Sequence, residues 1–323
     1  MARNVTICVG TLGQGIWRSV DGGDTWTRVR QGLYTESAVR AFAVHPRAPH
    51  IIYAGAESGI YRSEDRGASW ERLDSPMNTL PIWALAIDPI DPQILFAGTR
   101  PSALFRSQDG GVTWKKLDVA LAEECPNVGI PRVTAIAVDP MDHQRVWAGI
   151  EVDGVRRSTD GGETWETITR GVTDPDIHNV AIGAGRGKQV LVITPREVFA
   201  TTDDGMTWEP LGIGKQLSLP YCRGVAVKAD APQVIFMGNG ESAFGGQGAI
   251  HRSTDAGRTW ESLPLPTVPN GTVWNLAAHP ADAGFLLAST VNGQVFASAD
   301  GGTTWGKLPR DFGEVHALAW VPN

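Results

Sequence analysis

The amino-acid sequence predicts an all-β fold: a single seven-bladed β-propeller with four antiparallel strands in each blade. Three observations predict it. An eight-residue motif recurs seven times. Each copy lies in a unit of about 45 residues that contains four strand-like segments, which is the period of a propeller blade. The two chain ends carry complementary parts of one unit. We therefore expect one domain over residues 1–323, with a first blade built from about 3–30 and 314–322.

The repeated motif reads Ser/Thr-x-Asp-x-Gly-x-Thr/Ser-Trp. Its copies, 43 to 52 residues apart, begin at Ser19, Ser63, Ser107, Ser158, Thr201, Ser253 and Ser298. Short Asp and Ser/Thr side chains favour a tight turn because they bond to nearby backbone N–H groups, and glycine permits positive φ. The tryptophan is expected to pack beneath that turn. We therefore interpret the seven aspartates as structural.

The strands around each motif follow one order. In the second unit we expect strands over 39–45, 51–54, 60–63 and 70–73, with the first of them innermost. The chain begins at a second strand, over 5–10, and ends with an unmatched innermost strand, over 315–321. Pairing these two strands would complete the seventh blade and hide two sheet edges.

The motif is similar to the Asp-box, also called the BNR repeat. Sialidases, xyloglucan-cleaving glycosidases, sortilin-type receptors and photosystem II assembly factors carry it. The resemblance extends over the whole chain and implies the propeller fold, but it selects no subfamily. It also implies that a functional site would lie on the face opposite the Asp-boxes, as in Asp-box enzymes.

The composition excludes several classes of function. The net charge is −7 and no Lys/Arg run occurs, which argues against nucleic-acid binding. The three cysteines, Cys8, Cys125 and Cys222, are too few and too scattered for a disulfide framework. No signal-peptide pattern or long apolar segment is visible. We therefore expect a cytoplasmic protein, a monomer or homodimer, with no membrane partner.

One column of the aligned innermost strands departs from the others. Its third and fourth columns are uniformly apolar, as a core requires. The first column reads His316, Arg40, Trp83, Thr134, His178, Arg223 and Trp274 around the ring. This is the chemistry of a small-molecule pocket at the mouth of the central channel. The alternative is that these side chains fill the channel, with water between them.

Each residue type suggests a role. His178 and His316 are the candidate catalytic acid/base residues, or neutral ligands of a possible divalent metal at the channel mouth; no cofactor is required. Arg40 and Arg223 would hold a carboxylate or phosphate. The other candidate substrate-binding residues are Trp83, Trp274, Thr134, Tyr221, Glu57, Asn179 and Asn275.

Further charged residues lie in the loops of this face, and we expect most of them to be solvated at its rim. They include Glu36, Glu123, Glu124, Arg132, Asp174, Asp176, Glu314, Arg100, Glu151, Asp153, Arg196 and Glu241. The Gly-rich stretch 238–248 is expected to be a loose surface loop, with a lid as the alternative.

Three functions remain open. The first is a small-molecule hydrolase or lyase acting on an anionic or cyclic substrate. The second is a scaffold, as the resemblance to single-propeller photosystem II assembly factors implies. The third is a glycosidase. Arg40, Arg223 and Tyr221 would match the arginine cluster and tyrosine of sialidases. Sialidases, however, have six blades and an Arg-Ile-Pro motif, while xyloglucan-cleaving relatives join two propellers.

Overall fold

The computed structural model describes residues 3–126, 128–183 and 189–323. Within them the chain forms seven antiparallel sheets of four strands each, and the one helical element is a 3-10 turn at Ile213–Lys215. The predicted seven-bladed β-propeller is confirmed. No helix in the described ranges has both the length and the apolar character needed to cross a membrane.

The strands occupy four equivalent positions in the blades. The innermost strands, from the first blade to the seventh, are β28 (Val315–Pro322), β4 (Val39–Val44), β8 (Ile82–Ile87), β12 (Val133–Val138), β16 (Asn179–Gly183), β20 (Tyr221–Lys228) and β24 (Val273–Ala278). The second strands are β1 (Val5–Thr11), β5 (Ile52–Ala56), β9 (Leu95–Thr99), β13 (Val146–Ile150), β17 (Gln189–Ile193), β21 (Ala231–Gly240) and β25 (Leu286–Thr290). The third strands are β2 (Ile16–Ser19), β6 (Gly59–Ser63), β10 (Leu104–Ser107), β14 (Gly154–Ser158), β18 (Val198–Thr201), β22 (Gly248–Ser253) and β26 (Val295–Ser298). The fourth strands are β3 (Thr27–Arg28), β7 (Glu71–Arg72), β11 (Lys115–Lys116), β15 (Glu166–Thr167), β19 (Glu209–Pro210), β23 (Glu261–Ser262) and β27 (Gly306–Lys307).

The ring of blades closes through the two ends of the chain. Each innermost strand contacts the innermost strands of both neighbouring blades, and β28 completes this circle between β24 and β4. β28 also pairs with β1 in an antiparallel register that runs from Val5 opposite Pro322 to Thr11 opposite Val315. The closure predicted from the sequence is therefore the one observed.

The seven Asp-box motifs share one hydrogen-bond pattern, shown here for blade 3. The Ser107 hydroxyl donates to Asp109 Oδ1 (2.8 Å) and accepts a bond from the backbone N–H of Gly111 (2.8 Å). Thr113 donates its hydroxyl to Asp109 Oδ2 (2.6 Å) and its backbone N–H to Oδ1 (2.8 Å). These bonds, chiefly those from Thr113, lower the pKa of Asp109 to about 2. Both oxygens of each aspartate bond within its own motif, which agrees with the structural interpretation.

The motif also joins each blade to the preceding one. Its conserved turn places Gly162 at φ 91°, against the preceding blade. A Cβ there would lie 2.8 Å from Cε1 of Phe96, which belongs to blade 3. Glycine is thus required twice, for the left-handed backbone and for this close approach.

The buried imidazole of His251 makes the stability of blade 6 sensitive to acid. His251 is 2% exposed, its Nδ1 lies 3.1 Å from Asn239 Oδ1, and burial lowers its pKa to about 4. The unfolded chain takes up this proton near pH 6.5, whereas the folded chain does not until about pH 4. The neutral His251 therefore makes its full contribution to the free energy of unfolding above pH 6.5. This contribution, up to about 3 kcal/mol, is lost as the pH falls to about 4.

Urea unfolding at pH 7, 5.5 and 4 would measure this loss. We expect His251→Gln to flatten the pH dependence of the unfolding free energy between about pH 6.5 and 4. His50→Gln, at an exposed histidine, serves as the control and should retain the wild-type dependence. An equally steep dependence in His251→Gln would contradict the assignment.

Candidate functional site

The first-column residues lie at bulges of the innermost strands. In blade 2, Val39 pairs with Ala56 and Ala41 pairs with Gly55, so Arg40 between them has no partner in the ladder. The same shift in register leaves five further first-column residues without a ladder partner: Trp83, Thr134, Arg223, Trp274 and His316. His178 directly precedes β16, and its N–H donates to the Ile193 carbonyl (2.8 Å). A bulged residue is released from pairing and its side chain is re-aimed. Here the side chains gather at the channel mouth.

These side chains surround a small cavity of about 110 Å³. It is lined by all seven first-column residues together with Asn179 and Asn275. Pockets for drug-sized ligands measure about 300–1,000 Å³, and one water molecule occupies about 30 Å³ of liquid. The cavity is therefore large enough for a carboxylate and a few water molecules. Six of the nine lining residues also line a second cavity of about 200 Å³, so the space for a ligand extends beyond this volume.

Arginine side chains cover the tryptophan rings at the mouth. The guanidinium carbons of Arg40 and Arg132 lie 4.8 and 3.9 Å from the ring centroid of Trp83. Arg223 lies 4.6 Å from that of Trp274. The sequence predicts that these rings stack on a ligand; that stays a prediction, but the structure places guanidinium groups over them.

Two of these guanidinium groups have no acidic partner. Within the described ranges, neither Arg40 nor Arg223 forms an ion pair with a carboxylate, and Arg40 makes one hydrogen bond, from Nη1 to the Ala38 carbonyl (3.1 Å). Arg40 Nε is buried without a partner there, and burial lowers the pKa of this guanidinium. Buried polar groups are normally paired. Both side chains therefore have donors available for an anion.

His178 lies in a hydrogen-bonded, largely buried environment. Its Nδ1 is 2.7 Å from the Cys222 carbonyl, while Nε2 is 3.3 Å from the Tyr221 hydroxyl and 3.4 Å from Asp176 Oδ2. A carbonyl only accepts, so Nδ1 carries the proton. Burial and the nearby charge of Arg223 lower the pKa of His178. The imidazole is therefore neutral at neutral pH, and its Nε2 lone pair faces the Tyr221 hydroxyl, which can donate to it.

His316 has a carboxylate partner of its own. Its Nε2 lies 2.6 Å from Glu314 Oε1, and its ring contacts Trp83 and Trp274 edge-on, with centroids 5.8 and 5.1 Å away. Burial lowers the pKa of His316, against the opposing effect of Glu314. The two histidines therefore sit in separate carboxylate–imidazole pairs.

Three charged residues expected at the solvated rim lie instead beside the cavity. Arg132 Nη2 bonds to Glu151 Oε1 (2.6 Å), and Glu151 is 7% exposed. Burial raises the pKa of Glu151 and lowers that of Arg132 to about 10. Burial also disfavours the charge of Asp176, but its contact with His178 and the arginine charges hold its pKa below the usual range. Glu151 Oε2 and Asp176 Oδ1 are buried with no partner among described residues.

The remaining predicted binding residues occupy different environments. The Thr134 hydroxyl lies 2.6 Å from the Ile177 carbonyl and 3.0 Å from that of Gly149, so it joins two blades. Glu57 accepts the backbone N–H of Ala38 (2.5 Å). Asn275 donates to the Ser289 hydroxyl (3.1 Å), and Asn179 Oδ1 accepts the Val180 N–H (2.9 Å). None of these contacts tests substrate binding, which stays a prediction for all four residues.

The Gly-rich stretch contacts the channel mouth. β21 and β22 take up its two ends, which leaves a loop over 241–247. Trp274 donates its Nε1–H to the Ala243 carbonyl (2.9 Å), and its ring lies 5.3 Å from that of Phe244. These contacts attach part of the loop to the channel mouth, and its mobility stays a prediction. Phe244 and Trp274 form an aromatic contact that anchors the loop.

The cysteines and the metal prediction complete this description. Cys8, Cys125 and Cys222 are free and buried, and burial raises the pKa of Cys222 to about 12, so that thiol is not a nucleophile. In the parts of the chain that the structure describes, no group of three or more His, Cys, Asp or Glu side chains is arranged to hold a metal ion. A divalent metal at His178 and His316 stays a prediction.

Comparisons with known proteins agree with the repeat and the fold. The family model for sortilin (Sortilin-Vps10, neurotensin receptor 3) matches residues 14–129, and the BNR/Asp-box repeat model matches residues 156–167. A xyloglucanase from Paenibacillus sp is 27% identical over 208 residues, which are 54% of this chain and 20% of that protein.

Two solved structures illustrate the range of relatives. The GH74 xyloglucanase from Xanthomonas campestris superposes with a TM-score of 0.71 at 21% identity, covering 95% of this chain and 53% of that one. YCF48 bound to D1 peptide superposes with a TM-score of 0.58 at 15% identity, covering 89% and 88%. The chain thus spans about half of the xyloglucanase structure. At these identities the likeness shows a shared fold.

The seven motifs, the closed ring of seven blades and the repeat match lead to one assignment. The chain carries the Asp-box (BNR) repeat on a seven-bladed β-propeller, and these matches select no subfamily.

Proposed function

We propose that the chain is a hydrolase whose substrate presents a carboxylate to the mouth of the central channel. One observation carries the proposal: Arg40 and Arg223 border the cavity without an acidic partner in the described ranges. Charged guanidinium donors form short, strong bonds to carboxylates. The size of the cavity, about 110 Å³, suits such a group.

The available hydrogen-bond donors at the mouth support an anionic ligand. Every acid close to the cavity has a protein partner: Glu151 pairs with Arg132, Glu314 with His316, Asp176 with His178, and Glu57 with a backbone N–H. The imidazoles and the backbone N–H are uncharged partners, so these bonds do not cancel the charges of the carboxylates, and Glu57 and Glu314 act electrostatically on Arg40. Arg40 and Arg223 form no ion pair in the described ranges, so their N–H donors are available to an arriving carboxylate.

His178 has the geometry of a general base. Its proton is fixed on Nδ1 by the Cys222 carbonyl, so Nε2 is an acceptor that faces the Tyr221 hydroxyl, with the Asp176 carboxylate 3.4 Å away. Nε2 would remove a proton from an attacking water, and the Asp176 carboxylate would stabilise the imidazolium that forms. His316 is the second acid/base candidate. The same two groups would serve a lyase, which abstracts a proton from carbon.

A glycoside is one substrate class that fits the carboxylates. Burial raises the pKa of Glu151, while neighbouring charges hold that of Asp176 down. Such divergent pairs supply the acid and base of glycoside hydrolysis. The similar xyloglucanase from Paenibacillus sp lends this class support. Assays would therefore include carboxylated aryl glycosides beside carboxylated esters and lactones.

A thermal-shift titration tests the anion site first. Small carboxylates at about a hundredfold excess over Kd are expected to stabilise the folded chain by about 2.7 kcal/mol, which raises Tm by about 5 °C. The double variant Arg40→Ala/Arg223→Ala should show no such shift. Arg30→Ala/Arg47→Ala, which removes two exposed arginines outside the cavity, should respond like the wild type. No shift with any carboxylate would contradict the proposal.

The second candidate is a scaffold that binds the carboxylate terminus of a peptide. YCF48, solved with D1 peptide, corresponds to this chain over 88% of its own length, more than the xyloglucanase does. A scaffold would bind peptides with a free C-terminus more tightly than amidated ones and turn nothing over. Turnover of any carboxylated substrate, lost in the Arg40→Ala/Arg223→Ala variant, would favour the hydrolase.

A cytoplasmic location is part of the same proposal. The three thiols Cys8, Cys125 and Cys222 are free. Free thiols suit a reducing compartment. Fractionation of cells that express the full protein would test it.

A further inference from the structure

One residue of the third strand, directly before each Asp-box, links neighbouring blades. It is an arginine in five blades and an alanine in two: Arg18, Arg62, Arg106, Arg157, Ala200, Arg252 and Ala297. The arginines of blades 1, 3 and 4 donate to a backbone carbonyl of the next Asp-box, those of Arg66, Gly161 and Asp204 respectively. All three carbonyls belong to the fourth residue of the motif. The interaction therefore recurs at one equivalent site.

A glutamate on the fourth strand completes this arginine site. In blade 4, Arg157 stands opposite Glu166 and donates its Nε–H to Glu166 Oε1 (3.1 Å). In blade 6, Arg252 stands opposite Glu261, with Nη2 2.7 Å from Oε1. Arg157 thus has two acceptors, a carboxylate on its own blade and an Asp-box carbonyl on the next.

Blade 5 keeps both acceptors but has no arginine. Ala200 occupies the arginine position, Glu209 stands opposite it, and the fourth residue of the next Asp-box is Ala256. Blade 7 provides the contrast: Ala297 stands opposite Gly306, so that blade lacks the arginine and the carboxylate together. Blade 5 alone pairs the alanine with a glutamate.

A cleft opens where the arginine is missing. It measures about 580 Å³, and Ala200, Glu209, Ala256 and Arg258 are among its lining residues. We call it the inter-blade cleft. Arg157 and Arg106, at the equivalent position, are 8% and 5% exposed, so a guanidinium group at this site is largely removed from water.

We propose that the inter-blade cleft binds a guanidinium group supplied from outside the chain, by free arginine or by an arginine side chain of a peptide. The ligand would reproduce the bonds of Arg157, one to the Glu209 carboxylate and one to the Ala256 carbonyl. Arg258 lines the same cleft, so a ligand that also carries a carboxylate is favoured over a bare cation. This site is independent of Arg40 and Arg223 and of the proposed hydrolase.

Calorimetric titration with three amino acids and one peptide tests the proposal. Lysine carries the positive charge of arginine without the guanidinium group, and citrulline has the shape of arginine without the charge. Comparison of the three amino acids therefore shows which property the cleft recognises. A short peptide with one internal arginine separates the two sources. We expect saturable binding of arginine, of the peptide, or of both, with a Kd of roughly millimolar, and at least about tenfold weaker binding of lysine and citrulline.

Three variants locate the binding. Glu209→Gln should weaken it at least about tenfold, and Ala200→Arg, which supplies the guanidinium internally, should abolish it and raise Tm by about 2 °C. Glu261→Gln removes the equivalent carboxylate of blade 6 and should bind as the wild type does. No saturable binding below roughly 50 mM of either ligand would overturn the proposal. Equal affinity for arginine and citrulline would also overturn it, as would wild-type affinity in Glu209→Gln. The Glu209→Gln result remains informative even if the Ala200→Arg variant does not fold.

Discussion

Removal of residues 315–323 is expected to abolish cooperative folding of the whole propeller. This segment contains β28, whose Val315, Trp320 and Val321 are at most 2% exposed. Burial of three such side chains contributes roughly 5–9 kcal/mol, while the total stability of a domain is about 5–15 kcal/mol. The ladder to β1 is lost as well, which leaves β1 as an unpaired edge and removes the contacts of β28 with β4 and β24.

Thermal unfolding followed by circular dichroism, with size-exclusion chromatography, would measure the effect. We expect the shortened chain to lose its sigmoidal transition or to aggregate. The matched control places the sequence of 313–323 ahead of residue 4 through a short glycine-rich turn. Asn323 donates its N–H to the Asn4 carbonyl (3.2 Å), so this order would turn β28 and β1 into one hairpin. The control should regain a Tm close to that of the wild type.

The outcome separates ring closure from local blade stability. If the shortened chain unfolds with the wild-type Tm, blades 1 to 7 are stable without the closing strand and the argument fails. Recovery in the rearranged chain shows that the loss came from the missing strand and not from the position of the chain end.

The fold was predictable because its signal is local and repeated. Each Asp-box turn forms from its own eight residues, so the motif at Ser107 reports the same hairpin as the motif at Ser158 without knowledge of distant contacts. The closure followed from counting: seven motifs were present, but the first unit lacked an innermost strand and the chain ended with a spare one. Element ends differed by one or two residues, as at β7, which covers Glu71–Arg72 where 70–73 was expected.

The site was predictable only in part. The first column was visible because its residues differ from the uniform columns beside them, and the structure does gather them around one cavity. The alignment of the innermost strands contained no sign of the bulges that re-aim these side chains. Arg132 and Glu151 come from loops, and their burial depends on how two loops fold against Trp83, which periodicity does not describe. Phe244 covers Trp274 for the same reason.

Replacement of His178 by alanine is expected to lower kcat by about 10²- to 10⁴-fold, once a carboxylated substrate is in hand. In the proposed mechanism Nε2 of His178 accepts the proton of the attacking water, and alanine offers no acceptor. Affinity for the carboxylate should persist because Arg40 and Arg223 are unchanged. The loss should therefore fall on kcat, with KM and the carboxylate-induced thermal shift retained. The control Arg30→Ala/Arg47→Ala, which alters two exposed arginines outside the cavity, should keep kcat within about threefold.

The pH profile distinguishes a base from a merely structural histidine. His178 must be neutral to accept a proton, so kcat/KM should rise with pH through a pKa that lies below 6.5, in the direction set by burial. Asp176 favours the imidazolium, so Asp176→Asn should move this acid limb to lower pH and also reduce kcat. A structural histidine would give no such displacement. His316→Ala is expected to reduce kcat likewise. Full activity in both histidine variants would remove these residues from the mechanism. The channel mouth would then be a carboxylate-binding site alone.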